Sequence, residues 1–293
     1  ESDANGKVID RGEPDFFSPF LAAVGNQVDA IAWHYYQLYS GDATANTGSS
    51  SALTVSNLFQ EAPSDWPPAG LTFADKIIPY MRNKMKTNLP NAQIWIDEFA
   101  EDSGNQLAGR GVADTLAGAL WAADITGRYA DQGTDGLFHF IFKAAGSSTL
   151  QFGYTLLDNN NVPRPEYYAY WLMANHYGDQ MVKTRTSAIT TVASHAALSS
   201  KDGSLRVMLV NKSSKSQAVR LTLPDFKPVR ARQYVLTGPS ISATTATING
   251  KTLTPDVVTL GDGAIASATA QACTDNTFTV PAYSVSMVVF TVN

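Results

Sequence analysis

Three strand-to-helix alternations occupy the first 178 residues, and that number is what most limits the fold this chain can adopt. Apolar residues at helical spacing from Phe16 to Val24 precede a β-branched and aromatic run, Val28 to Tyr36. A helix over Phe73 to Thr87 follows, with its basic residues late, as a helix C-terminus prefers. The pattern then repeats: strand Gln93 to Phe99, helix Val112 to Ala130, strand Gly136 to Phe142, helix Pro165 to His176. Consecutive βα units predict a parallel sheet covered by helices. Three such strands leave wide apolar surfaces and unprotected edges, because a closed barrel of this kind needs eight. A small open α/β sheet would carry a glycine-rich phosphate loop after its first strand, and none follows Tyr36 or Phe99. The remaining expectation is the C-terminal part of a (β/α)8 TIM barrel, spanning residues 1–178, completed by another polypeptide. The polar opening from Glu1 to Lys7 reads as a loop and agrees with a natural product that begins further upstream.

Beyond Gly178 short alternating runs replace the long ones: Leu205 to Val210, Ala218 to Leu223, Ala231 to Leu236, Phe278 to Val280 and Val285 to Val292. Their spacing predicts an antiparallel β-sandwich over residues 179–293, so the fold class is α/β plus all-β.

Charge narrows the partners. A net charge of -5, with no Lys/Arg run, gives no reason to hold nucleic acid. No apolar segment is long enough to predict a membrane span. The single cysteine, Cys273, permits neither an internal disulfide nor a cysteine-rich zinc site and reads as a small buried residue. No His, Cys or carboxylate grouping has metal-ligand spacing, and neither metal nor cofactor is expected.

In parallel α/β architectures polar residues that end an apolar strand are the informative ones. Glu98 follows Ile94 and Ile96 in alternation, which predicts it on their face, with Asp97 on the other. On its own, an N-cap or surface carboxylate accounts for such a pair equally well. Ala32, His34 and Tyr36 alternate onto one face of the preceding strand, and the neighbouring strand would bring the last two beside Glu98. A Tyr hydroxyl and an imidazole N–H can hold a carboxylate ionised and in one rotamer.

Trp33-His34-Tyr35-Tyr36, Ile94-Trp95-Ile96-Asp97-Glu98-Phe99, the helix Ala117 to Tyr129, and the run Pro163 to Tyr170 resemble strands six and seven and helices seven and eight of clan A glycoside hydrolases. Families 39 and 44 are the nearest in flavour, with 51, 79 and 30 as relatives. Leu205 to Phe226 and Val280 to Val285 resemble their C-terminal sandwich. The resemblance implies a retaining mechanism with Glu98 as nucleophile, supported by Tyr36 and His34, on a carbohydrate substrate. It implies a second carboxyl group, the acid/base, about 5 to 5.5 Å away, on a strand this sequence lacks. Glu13, Glu61 and Glu101 read as loop residues without a matching context, so the acid/base is expected on an N-terminal half-barrel chain or fragment.

Sugar contacts are expected from Trp33, from His139 and Phe140 on the third strand, and from Trp66 in the polar 40–70 loop, where Phe59 also lies. Lys143 reads either as a contact to an acidic sugar or as a snorkelling strand-end lysine. The implied enzyme is a secreted or periplasmic β-glycosidase, endo-acting before exo-acting (arabinofuranosidase, xylosidase or glucuronidase). A non-catalytic carbohydrate-binding protein on the same fold is the alternative from another class.

Overall fold

The computed structural model describes residues 17–25, 27–38, 54–59, 63–64, 71–102, 112–143, 153–185, 191–253, 269–272 and 275–292. In chain order the first elements are α1 (Phe17–Val24), β1 (Ala30–Leu38), α2 (Val55–Phe59), β2 (Pro63–Ser64), β3 (Leu71–Thr72), α3 (Phe73–Met85), β4 (Gln93–Asp102), α4 (Leu116–Asp131), β5 (Gly136–His139) and α5 (Pro165–His176). Strands β1, β4 and β5 form a three-stranded parallel sheet with β4 in the centre. Among the described residues the outer edges of β1 and β5 have no further strand beside them.

One face of this sheet is covered. Ile31 and Tyr35 of β1 and Ile94, Ile96 and Phe99 of β4 share a core with Ile77, Ile78, Met81 and Met85 of α3 and with Trp121, Ile125 and Tyr129 of α4. Polar contacts fix the seam: Arg82 near the end of α3 donates to the Ala92 carbonyl at 2.6 Å and pairs with Asp135, whose carboxylate also accepts from the Ile94 amide at 2.8 Å. Helix α4 starts at Thr115, whose hydroxyl accepts from the Ala117 amide at 3.3 Å.

Strands β6 (Gln180–Val182), β7 (Val192–Leu198), β8 (Leu205–Asn211), β9 (Gln217–Arg220), β10 (Arg230–Thr237), β11 (Thr247–Ile248), β12 (Thr269–Ala272), β13 (Thr277–Val280) and β14 (Ser284–Thr291) follow. Seven of them make one antiparallel sheet, ordered β11-β10-β14-β8-β7-β6 with β12 also on β10, while β9 and β13 pair separately. Phe278 and Val280 of β13 share a core with Val207, Leu209, Val288 and Phe290 of the larger sheet. The larger sheet's other face packs on helices: Met208, Val210, Tyr234 and Met287 meet Leu116, Leu120 and Ala123 of α4 and Tyr168 and Leu172 of α5. Helix α4 is therefore buried on two sides, which accounts for its nearly all-apolar sequence. Its Gly127 is required by that approach, since a Cβ there would fall 2.4 Å from the ring of His195 on β7.

Candidate active site

Alternation from Ile94 and Ile96 predicts Glu98 on their face, and the structure corrects this. Ile94 and Ile96 point into the helix-covered core. Trp33 pairs with Ile96 but His34 pairs with Glu98, so Asp97 is an extra residue in β4. The same shift shows against β5, where Ile96 faces Leu137 and Phe99 faces His139. A bulge re-aims a side chain locally, and this one turns Glu98 to the opposite face, left uncovered among the described residues, while returning Phe99 to the core.

On that uncovered face the hydroxyl of Tyr36 donates to Glu98 Oε1. The other carboxylate oxygen, Oε2, lies 3.5 Å from His34 Nε2, which is also 3.8 Å from Asp97 Oδ1. The Glu98 side chain is 27% exposed and that of His34 58%. Burial, together with the hydrogen bond and charge of Glu98, pushes the Tyr36 hydroxyl well above the usual phenol range, so it remains a donor. Tyr154, from the segment after β5, interacts electrostatically with both Tyr36 and Glu98, and it too is raised, chiefly by burial. Its ring lies 6.1 Å from that of Phe140. Phe138 is half-exposed and meets Trp95 at 5.7 Å on the same uncovered side. The arrangement presents one oriented, partly exposed carboxylate, restrained at one oxygen by a neutral donor and flanked at the other by His34, within an aromatic surround.

Two expected sugar contacts lie elsewhere. Trp33 packs with Ile31 and Tyr35 toward the helices, because its strand alternates it away from His34 and Tyr36. His139 is paired with Phe99 and turned with it into the interior, where its side chain is only 7% exposed. Glu101, read as a loop residue, belongs to β4 and is fully buried. Lys143 donates to Asn161 Oδ1 at 2.6 Å. Phe59 packs at the edge of the helix-side cores. Trp66, Glu13, Glu61 and Cys273 lie outside the described residues.

Nothing in the sequence pointed to Tyr154 or to the bulge at Asp97. Asp97, the other solvent-exposed carboxylate of β4, is a strand neighbour of Glu98 and stands beside it, not across a sugar from it. Among the described residues no group of three or more His, Cys, Asp or Glu side chains could hold a metal ion. A cavity of about 750 Å³ opens on the helix side, lined by Leu137, Tyr170, Met173, Lys201 and Arg206 among others, and none of His34, Tyr36 or Glu98 reaches it.

The chain shares its fold with solved carbohydrate-cleaving enzymes. A bifunctional glucanase-xylanase from a metagenome library is similar over 97% of this chain and 49% of its own, at 20% identity and a TM-score of 0.63. A glycoside hydrolase family 44 endoglucanase from Clostridium acetobutylium matches over 97% of this chain and 52% of its own, at 16% identity and a TM-score of 0.57. A family 51 arabinofuranosidase from Xanthomonas axonopodis pv. citri matches over 95% of this chain and 56% of its own, at 17% identity and a TM-score of 0.61. Families 44 and 51 are two of those the sequence motifs resemble. The chain spans about half the length of each of these proteins. No family model matches it, and no curated protein does. Among the described residues no helix is long and apolar enough to cross a membrane.

Proposed function

We propose that this chain carries the nucleophile half of a retaining glycoside hydrolase, with Glu98 attacking the anomeric carbon of a β-linked poly- or oligosaccharide. The observation that carries this reading is the Glu98 carboxylate, held by Tyr36 and flanked by His34 on the uncovered face of a parallel sheet. Retaining hydrolysis proceeds in two displacements. The carboxylate forms a glycosyl-enzyme ester as an acid protonates the leaving oxygen, and water then releases the sugar with the acid acting as base. Tyr36, a donor throughout, steadies Glu98 in both steps, and Phe140 and Tyr154 offer rings for the apolar face of a sugar.

The remaining strands of a (β/α)8 barrel, and the acid/base with them, come from polypeptide outside these 293 residues. Among the described residues no strand lies beside the outer edges of β1 and β5, which supports this, as does the half-length match to the similar enzymes. A polymeric substrate cannot cross a membrane, which favours action outside the cytoplasm.

Endo-cleavage is preferred, on the likeness to an endoglucanase and a glucanase-xylanase. The likeness to an arabinofuranosidase supports an exo-acting second reading. The test is hydrolysis of soluble β-glucan, xylan and arabinoxylan by the protein purified with its companion polypeptide, following product anomers by NMR. Glu98→Gln is expected to lower turnover at least about a hundredfold, roughly 2.7 kcal/mol of barrier, with the melting temperature preserved. A Glu98→Gln protein retaining more than a few per cent of activity, or products of inverted configuration, removes Glu98 from the role. Binding without hydrolysis by the wild type would favour the non-catalytic alternative.

A further inference from the structure

Behind the uncovered face a second pair of carboxyl groups lies out of reach of solvent. Glu101 of β4 is 0% exposed and Glu166 in the first turn of α5 is 1% exposed. Glu101 projects onto the first turn of α4, where a Cβ added at Gly118 would fall 2.7 Å from its Oε1. The two carboxyl groups are close enough to interact electrostatically, and none of their four oxygens, all sealed from solvent, has a hydrogen-bond partner among the described residues. Both cannot be ionised, because two contacting anions without water combine repulsion with lost hydration. Burial, with the charges of Asp102 and Asp114 adding to it, lifts Glu101 well above the usual carboxylate range. Burial and Glu101 lift Glu166 well above the usual carboxylate range against the pull of Arg164.

His139 shows where a proton must sit. Its Nε2 lies 2.9 Å from the backbone carbonyl oxygen of Tyr154, an acceptor only, so Nε2 bears the hydrogen. Burial keeps the ring neutral by lowering its pKa to about 4, which leaves a lone pair on Nδ1. That lone pair faces Glu166 Oε1 at 3.3 Å and the Tyr170 hydroxyl at 3.3 Å. Tyr170 also interacts electrostatically with Glu166 and Glu101. An ionised Glu166 would set lone pair against lone pair at 3.3 Å, whereas a protonated one can turn its hydrogen toward Nδ1 beside the Tyr170 hydroxyl, and Nε2 carries the effect to the Tyr154 carbonyl. The preceding carbonyl, that of Gly153, accepts from Arg164 Nη1 at 2.5 Å, so this stretch is gripped at two successive peptides.

We propose that Glu166 is a neutral carboxylic acid that acts through His139 as a positioning residue, holding Tyr154 beside Glu98 and Tyr36. The positional consequence for hydrolysis rests on the glycosidase reading; the proton on Glu166 does not. The chain contains four histidines, so nitrogen-15 labelling of imidazoles gives a spectrum simple enough to assign with His139→Gln. His139 is expected to remain neutral, with its hydrogen on Nε2, between pH 5 and 8 (about 1.5 units either side of an ordinary imidazole). The infrared spectrum is expected to contain a protonated-carboxyl carbonyl stretch that Glu166→Gln removes.

Glu166→Gln, whose amide can donate to Nδ1, should preserve the tautomer, the Tyr154 ring signals and kcat within about threefold. Glu166→Leu, similar in size but with no donor, should shift the Tyr154 ring signals and lower kcat about tenfold with KM little changed. If Glu166→Leu does not fold, the labelled histidine and the infrared band of the wild type and Glu166→Gln still decide. A His139 that titrates near its ordinary value, a hydrogen on Nδ1, or identical infrared spectra for wild type and Glu166→Gln overturns the proposal. Absence of hydrolysis by the wild type would count against the glycosidase reading and leave these spectroscopic outcomes standing.

Discussion

The imidazole of His195 on β7 places Nε2 3.0 Å from an Asp124 carboxylate oxygen on α4, tying the antiparallel sheet to the helix that covers the parallel one. Its other nitrogen lies 2.6 Å from Asp131 Oδ2, so both ring nitrogens face acceptors and both must carry hydrogen. Burial alone would lower the imidazole pKa, but the hydrogen bonds and charges of Asp124 and Asp131 outweigh it and raise it to about 9. Asp124 also receives Lys212 and Arg128. Its burial is likewise outweighed, by Lys212 and His195, and its pKa falls to about 2.

The pH dependence follows from those directions. A histidine raised from 6.5 to about 9 contributes stability that is complete below 6.5 and disappears as pH climbs through about 9. Asp124, lowered from 3.8 to about 2, contributes stability that is present above 3.8 and is lost as pH falls through about 2. Thermal melts of the wild type are therefore expected to decline from pH 6.5 to 9, whereas His195→Gln should be flat over that window. At pH 6 the variant should be less stable by about 3 kcal/mol, the low end for breaking a buried pair, because Lys212 and Arg128 still serve Asp124. Parallel melting curves for the two proteins would refute the clamp.

Gly127 makes the same contact possible, and its replacement tests the packing independently. An added methyl group would sit 2.4 Å from the His195 ring, inside van der Waals contact. Gly127→Ala is expected to cost about 1–3 kcal/mol in denaturant unfolding. Combining it with His195→Ala vacates the space, so the glycine substitution should cost distinctly less in that background. Additive costs would mean that some other neighbour is displaced.

The sequence made the elements legible wherever local chemistry and burial agree. Helix α5 runs from Pro165 to His176 as predicted, with proline near its start and an acid in the first turn. Strand β7 was hidden because Val192-Ala-Ser-His-Ala-Ala-Leu198 is rich in small residues, and its buried His195 is paid for by Asp124 and Asp131 on a helix more than 60 positions away. The candidate site was legible by type but not by phase. Glu98, Tyr36 and His34 come together, yet Glu98 does so through an extra residue that leaves no mark in a hydrophobic pattern. Period-two reasoning before the bulge and after it gives opposite faces. His139, by contrast, follows plain alternation: two positions past Leu137, which packs on the core, it pairs with Phe99 and turns inward with it.

Tyr36 separates orientation of Glu98 from the chemistry of Glu98. Removing its hydroxyl in Tyr36→Phe deletes the donor to Oε1 and leaves the ring in place. Stability is expected to change by no more than about 1 kcal/mol, since the bond is only part-buried and water can replace the donor. Turnover on the proposed substrates should fall about ten- to a hundredfold, the scale of one lost preorganised donor. A Tyr36→Phe enzyme with wild-type kcat would show that the hydroxyl has no part in holding the carboxylate during reaction.

Trp33 provides the opposite control, because its neighbour in sequence, His34, is on the site and it is not. The indole packs beside Ile31 and Tyr35 into the core formed with α3 and α4. Trp33→Ala removes a large ring from a partly buried position, and truncations of this kind cost about 3 kcal/mol or more in a full core. A loss of about 2–3 kcal/mol in urea unfolding is expected here, with KM unchanged for the molecules that remain folded. Had Trp33 stacked on a sugar, the same substitution would raise KM and leave the midpoint of unfolding where it was, so one pair of measurements distinguishes a core indole from a substrate platform.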